Sequence, residues 1–121
     1  MAIKDLLPIQ KHLFLCNGGT CKLKGAEEGS ATIRQEISQA GLTDQIHTTK
    51  TLCNGRCKDG PVVISMPEGI WFKQLSPECA ADFVKDYILE GKIQEKHLLY
   101  KYDGGFICPV ETEPSSGIAP E

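Results

Sequence analysis

The stretch that decides the fold is CNGRCKDGP, residues 53–61, in which three residues separate two cysteines of a glycine-containing loop. A second loop, CNGGTC, covers residues 16–21 and has four residues between its cysteines. Thiolate sulfur is the soft ligand that zinc and iron–sulfur clusters select. Two close pairs on two loops can surround one metal centre, and the spacing alone suits either kind of metal.

Strands and helices are predicted around these loops. Residues 11–16 and 46–51 have strand patterns, and each segment delivers a cysteine at its end or just beyond it. Residues 30–40 have apolar side chains at helical spacing, with Ser30 as a possible cap and Gly41 as a stop. The first two strands are therefore expected to bring both loops to one end of a sheet.

The second half of the chain predicts a hairpin and a helix. The apolar run 62–66, a Pro-Glu-Gly turn and residues 70–73 are typical of two adjacent strands. The clearest helix follows Ser76, has proline at its first position and ends at Gly91. The predicted order is β-α-β-β-β-α, which belongs to the α/β class.

Length and composition indicate one domain. We expect residues 1–102 to form it, with thirteen basic against twelve acidic side chains. Residues 103–121 carry a net charge of −4 and are rich in glycine, proline and serine, so we expect a flexible acidic tail. There is no long basic stripe for a nucleic acid and no apolar run of the ~18 residues that span a membrane.

The cellular compartment follows from the same features. The N-terminus lacks a signal-peptide pattern, so we expect a cytoplasmic protein. Thiols stay reduced there, and clustered cysteines more often bind a metal than form disulfides.

Residues 53–61, the apolar strand after them, the Pro-Glu-Gly turn and Trp71 together resemble the thioredoxin-like [2Fe-2S] ferredoxins. The four-residue gap in the first loop resembles the small iron–sulfur subunit of NADH dehydrogenase. The resemblance implies a thioredoxin-like fold, in which helices flank a small mixed sheet. It also implies a [2Fe-2S] cluster near the surface whose ligands are Cys16, Cys21, Cys53 and Cys57.

The same resemblance implies an electron-transfer protein rather than an enzyme, with other redox proteins as partners. The chain lacks the helical N-terminal extension of the respiratory subunits, so we expect a soluble one-electron carrier. The family often forms homodimers. The apolar hairpin from Ile64 to Phe72 offers a possible sheet edge that a second copy would cover.

Basic side chains surround the two loops. They outnumber the single acid, Asp59, and should stabilise a cluster whose formal charge changes from −2 to −3 on reduction. They could also dock an acidic partner. The set comprises Lys22, Lys24, Lys50, Arg56 and Lys58.

The remaining candidates are given ordinary roles. Cys79 is expected in the core and Cys108 as an incidental thiol of the tail. The three histidines, at positions 12, 47 and 97, are scattered, which argues against a Rieske centre. Trp71 and Phe72 alternate, so one should enter the core.

Two other functions remain open from the residues alone. One is a structural zinc site used for protein interaction, and the other is thiol–disulfide exchange. The second usually needs two residues between its cysteines, a spacing that neither pair has. No catalytic constellation or nucleotide-binding motif is present in the sequence.

Overall fold

The computed structural model describes residues 5–102 and 105–107, in which six strands form one mixed sheet. The strands are β1 (Lys11–Cys16), β2 (Ile46–Thr51), β3 (Val63–Met66), β4 (Ile70–Phe72), β5 (Leu98–Tyr102) and β6 (Phe106–Ile107). Their spatial order is β2-β1-β3-β4-β5-β6. β1 and β2 are parallel, and every other neighbouring pair is antiparallel.

In the described ranges, three α-helices and three other helical segments accompany the sheet. The α-helices are α1 (Gly19–Leu23), α2 (Ala26–Gln39) and α3 (Pro77–Phe83). α3 continues as a π-helical segment, Val84–Leu89, and 3₁₀ turns cover Cys57–Asp59 and Glu95–His97. None of the helices in the described ranges is long and apolar enough to cross a membrane.

The helix predicted over residues 30–40 begins earlier in the structure, where it is α2. Ser30 does not cap it, because α2 begins at Ala26 and Ser30 lies buried inside it. Gly29 has a low helix propensity, so the sequence does not indicate a helix that begins before it. The structure explains that glycine, because a side-chain carbon there would lie 3.4 Å from the backbone oxygen of Leu75. The helix therefore packs closely against the segment that leads into α3.

The sheet also extends beyond the predicted hairpin. The expectation that the hairpin is a sheet edge is wrong, because β5 pairs with β4 on its outer side. Residues 106–107 pair in turn with β5, within the segment expected to be a tail. The domain boundary itself stays a prediction, and residues 103–104 and 108–121, with Cys108, lie outside the described residues.

The main core lies between one face of the sheet and the helices α2 and α3; we call this the helix face. Phe72 is 1% exposed there, and its ring centroid lies 4.9 Å from that of Phe83 and 4.8 Å from that of Tyr87. The prediction that one of the two adjacent aromatic residues enters the core is confirmed. Trp71 lies on the opposite face, half-buried, against Tyr100.

A polar cluster closes the core at the end of the sheet where β1 begins. Ser65 is fully buried and shares a 2.8 Å hydrogen bond with the hydroxyl of Tyr87. Lys11 donates to Glu68 at 2.6 Å. Burial acts to raise the pKa of Glu68, but the hydrogen bonds that it accepts from Lys11, Ser65 and its own backbone N–H, together with the Lys11 charge, hold the pKa below its ordinary value.

Candidate metal centre

The first cysteine pair is held close together by β1 and α1. β1 ends at Cys16, and α1 carries Cys21 on its buried side; the two residues are 4% and 2% exposed. Their sulfur atoms are 3.4 Å apart and form no disulfide. A metal–thiolate bond of about 2.3 Å places two sulfurs of a tetrahedral site roughly 3.8 Å apart. This pair therefore needs only a small adjustment to bind one metal ion.

The second loop leaves the end of β2. Asn54 donates its side-chain amide to Thr51 Oγ1 at 2.8 Å, which ties the loop to that strand. Cys53 is exposed, and the backbone N–H of Gly55 donates to its sulfur at 3.3 Å. Gly55 has φ of +87°, a left-handed conformation that favours glycine. The backbone of Cys57 begins the 3₁₀ turn.

Hydrogen bonds and one close contact join the first loop to the end of β2 and to the second loop. The N–H of Asn17 donates to the carbonyl of Thr51 at 2.8 Å, and Cys16 Sγ donates to the carbonyl of Leu52 at 3.4 Å. Gly18 lies against Cys53, where a side-chain carbon would sit 2.9 Å from Cys53 Cα. Because that distance is shorter than real carbon contacts, only glycine fits between the loops.

The structure brings the first pair together, and the side chain of the predicted ligand Cys57 lies outside its described part. Among the described side chains, no three or more cysteine, histidine, aspartate or glutamate groups converge as metal ligands do. The thiols of Cys16 and Cys21 meet, whereas Cys53 is exposed on the second loop. The assignment of all four ligands thus stays a prediction.

Asn17 is a site residue that the sequence analysis missed. It is 6% exposed, and its side-chain amide donates to the carbonyl of Leu15 and to Ser30 Oγ, at 3.0 and 3.2 Å. Its Oδ1 atom is buried without a hydrogen-bond partner in the described structure. The contact to α2 spans thirteen residues, so no local pattern could have predicted it.

Arg56 has a different role from the one predicted. Its Nε and Nη2 atoms both lie 3.0 Å from Asp59 Oδ2, and its guanidinium lies 5.5 Å from the centre of the Tyr100 ring. The two charged side chains are 11% and 12% exposed. The arginine charge is therefore balanced locally, and it anchors the second loop to β5.

The four lysines near the loops are exposed, as a charged rim requires. Lys24 also donates its Nζ to the carbonyl of Lys58 at 3.2 Å, which links α1 to the 3₁₀ turn. The rim consists of Lys22, Lys24, Lys50 and Lys58.

The other candidates lie in ordinary environments. Cys79 is half-buried and packs against the main core, with Ser76 Oγ 3.6 Å from its sulfur. His12 Nε2 lies 2.7 Å from Thr49 Oγ1, and His97 Nδ1 lies 2.9 Å from the carbonyl of Lys73. Neither histidine belongs to a described cluster of potential metal ligands.

Comparison with known proteins places this geometry in a family. No protein-family model matches the chain. A protein of Priestia megaterium named as a 2Fe-2S ferredoxin is 40% identical over 108 residues, which are 88% of this chain and 84% of that protein. The chain belongs to the thioredoxin-like [2Fe-2S] ferredoxin family.

Further relatives agree with this assignment. A 2Fe-2S ferredoxin of Clostridium pasteurianum is 25% identical over 70% of this chain and 91% of its own length. The crystal structure of the thioredoxin-like [2Fe-2S] ferredoxin from Aquifex aeolicus superposes with a TM-score of 0.68 and 26% identity, covering 75% of this chain and 97% of that one. The expected fold class, cofactor type and electron-carrier function are confirmed.

Proposed function

We propose that the chain transfers one electron at a time and that Cys16, Cys21, Cys53 and Cys57 hold its [2Fe-2S] cluster. The observation that carries the ligand assignment is the 3.4 Å separation of the first two sulfurs, beside a loop on which Cys53 is exposed. The donor set fits the cluster, because four thiolates are its usual ligands. When bound, the cluster supplies reversible one-electron chemistry near the surface.

The residues of the chain prepare this site in two ways. Burial of Cys16 and Cys21 keeps water from one side, while exposed Cys53 leaves the other side open to a redox partner. The Gly55 N–H donates to the Cys53 sulfur and so favours negative charge on it. Added negative charge on reduction is then stabilised by this donor and by the rim lysines.

The second loop should become more ordered when the cluster binds. Its exposed cysteine and glycine-rich backbone have little apolar packing, whereas the first pair is already in place. Cluster binding therefore adds order mainly to residues 53–57, as metal binding generally couples to local folding.

Cysteine replacement tests the ligand assignment. Each of the four proposed ligands is changed to serine, with Cys79→Ser as the matched control, and iron and labile sulfide are measured in anaerobically purified protein. We expect each ligand variant to lose most of its cluster and the control to keep it, because Cys79 packs against the core. Cluster loss in the control together with retention in Cys57→Ser would refute the assignment.

We further propose that the protein is a free-standing cytoplasmic carrier that exchanges electrons with other redox proteins. The lysine rim supports this, because it offers a charged approach to the ligand loops. A structural zinc protein is the alternative, and the colour of the purified protein distinguishes the two. A [2Fe-2S] protein absorbs visible light and a zinc protein does not.

We also propose a homodimer formed through the sheet face opposite the helix face. Met66 and Tyr102 are 43% and 53% exposed there, beside the half-buried rings of Phe14 and Trp71. Strand alternation places no Lys, Arg, Asp or Glu on this face of β1, β3, β4 or β5. Arg56 lies over the Tyr100 ring there, but Asp59 balances its charge, so two copies can meet with little like-charge repulsion. A second copy fits such a surface better than a charged partner does.

Sedimentation equilibrium at micromolar concentration tests the dimer. We expect a dimer mass for the wild type, a monomer mass for Met66→Lys and a dimer mass for the control Leu89→Lys. Leu89 is 52% exposed on the π-helical segment after α3. A monomer mass for the wild type would remove the proposal.

A further inference from the structure

Two leucines next to the ligand cysteines are almost fully exposed. Leu23 ends α1, two residues after Cys21, and is 89% exposed. Leu52 immediately precedes Cys53 and is 82% exposed. Single exposed leucines are common on protein surfaces, but these two flank the ligand loops, Leu23 after the first and Leu52 before the second. An apolar contact is therefore available at both loops.

The rim lysines stand beside these leucines. An open depression of about 230 Å³ lies next to the first loop, and Leu52 forms part of its wall together with Lys22 and Lys50. Glu27 is the acidic side chain in that wall. The local surface is thus positive, although the whole chain has a net charge of −3.

Leu52 is also connected directly to one proposed ligand of each cysteine pair. The carbonyl of Leu52 accepts a hydrogen bond from Cys16 Sγ at 3.4 Å, and Leu52 is bonded directly to Cys53. A protein that covers this leucine would lie within one residue of a ligand from each pair. An apolar centre inside a polar rim is the usual composition of a protein interface.

We infer that Leu23 and Leu52 form the centre of the electron-transfer docking surface and that the rim lysines select the partner. The partner is a redox protein that presents a small apolar patch surrounded by acidic side chains. The leucines stabilise the encounter complex at any salt concentration, whereas the lysines accelerate association at low salt. This inference rests on the proposed electron-carrier function.

The test uses flavodoxin, an acidic one-electron acceptor, and cytochrome c, a basic one, as protein probes. Reduced protein is mixed with each probe in a stopped-flow instrument at ~0.01 M and ~1 M salt, where the Debye length falls from about 30 to about 3 Å. The variants are Leu23→Gln with Leu52→Gln, and Lys22→Gln with Lys50→Gln. Leu89→Gln is the control, because it removes an exposed leucine remote in sequence from the ligand loops.

The expected results follow from the local surface. The rate with flavodoxin should fall as salt rises and the rate with cytochrome c should rise, whereas a net charge of −3 alone predicts the reverse. The double leucine variant should be about tenfold slower with flavodoxin at both salt concentrations, a loss typical of truncating central interface residues. The double lysine variant should be slower only at low salt.

Two outcomes would overturn the inference. A leucine variant that reacts as fast as the Leu89→Gln control would remove the apolar centre. The reverse salt dependence for the two probes would contradict the proposal that the partner is acidic. Cluster content and reduction potential are measured on every variant, so failure of the docking surface in a protein that still takes up one electron is distinct from failure of the proposed function.

Discussion

Replacing Gly18 with alanine should damage the metal centre through a single contact. The added carbon would lie 2.9 Å from both the Cα and the N atom of Cys53, whereas carbon atoms normally stay about 3.5–4.0 Å apart. The second loop must therefore move by about 0.6–1.1 Å. Gly18 has φ of −64° and ψ of 168°, a conformation that alanine adopts without strain, so the effect comes from this contact alone.

We expect Gly18→Ala to lower the free energy of unfolding by about 1–3 kcal/mol, as overpacking usually does, and to weaken retention of the cluster. Gly19→Ala is the matched control, because a side-chain carbon there would meet no atom within 4 Å. The assays are urea unfolding of the cluster-free proteins and the rate of cluster loss to an iron chelator. Equal stability and equal loss rates for the two variants would refute the contact between the loops.

Three further predictions concern the ion pairs and the order of the second loop. Arg56→Gln leaves Asp59, whose side chain is 12% exposed, without its ion-pair partner, and should cost about 3 kcal/mol in urea unfolding; an unchanged midpoint would contradict this. The pKa of Glu68 is lowered from 4.5, so its ion pair with Lys11 stabilises the fold above that pH. This stabilisation, about 0.2–1 kcal/mol, should fade as the pH falls through the lowered pKa, and Glu68→Gln should lack that dependence in pH-resolved unfolding. In the cluster-free protein, hydrogen exchange should be fast for the amides of residues 53–57 and slow in β1 and β3; protection of that loop would contradict cluster-dependent order.

Features set by local patterns could be predicted from the sequence. β1 and β2 have the predicted bounds, because β-branched and apolar residues favour strands and each segment ends at a loop. Ser76 and Pro77 begin α3 as expected, since the fixed φ of proline suits the first helical position. These local signals place both cysteine loops at one end of the sheet.

Features that depend on distant contacts could not be predicted. α1 has five residues and no apolar periodicity, so nothing local indicates a helix that turns Cys21 toward Cys16. The role of Asn17 depends on Ser30 in α2, and that of Arg56 on the Tyr100 ring in β5. The sequence shows the charge of Arg56, but only the fold shows that Asp59 balances it.

β5 was not predicted, although its sequence indicates a strand. Residues 98–102, Leu-Leu-Tyr-Lys-Tyr, have the apolar and aromatic composition of a strand and could have been recognised. Missing this strand left β4 as an apparent edge. A dimer would therefore form through the face of the sheet that carries Met66 and Tyr102 and not through an unpaired edge.

A reductive titration of the purified protein tests the central claim most directly. Electrons are added in known amounts under anaerobic conditions while the visible spectrum and the potential are recorded. Four thiolate ligands without histidine predict uptake of one electron per chain at a midpoint of roughly −400 to −200 mV. A colourless protein, uptake of two electrons per chain, or a midpoint above zero would contradict the account.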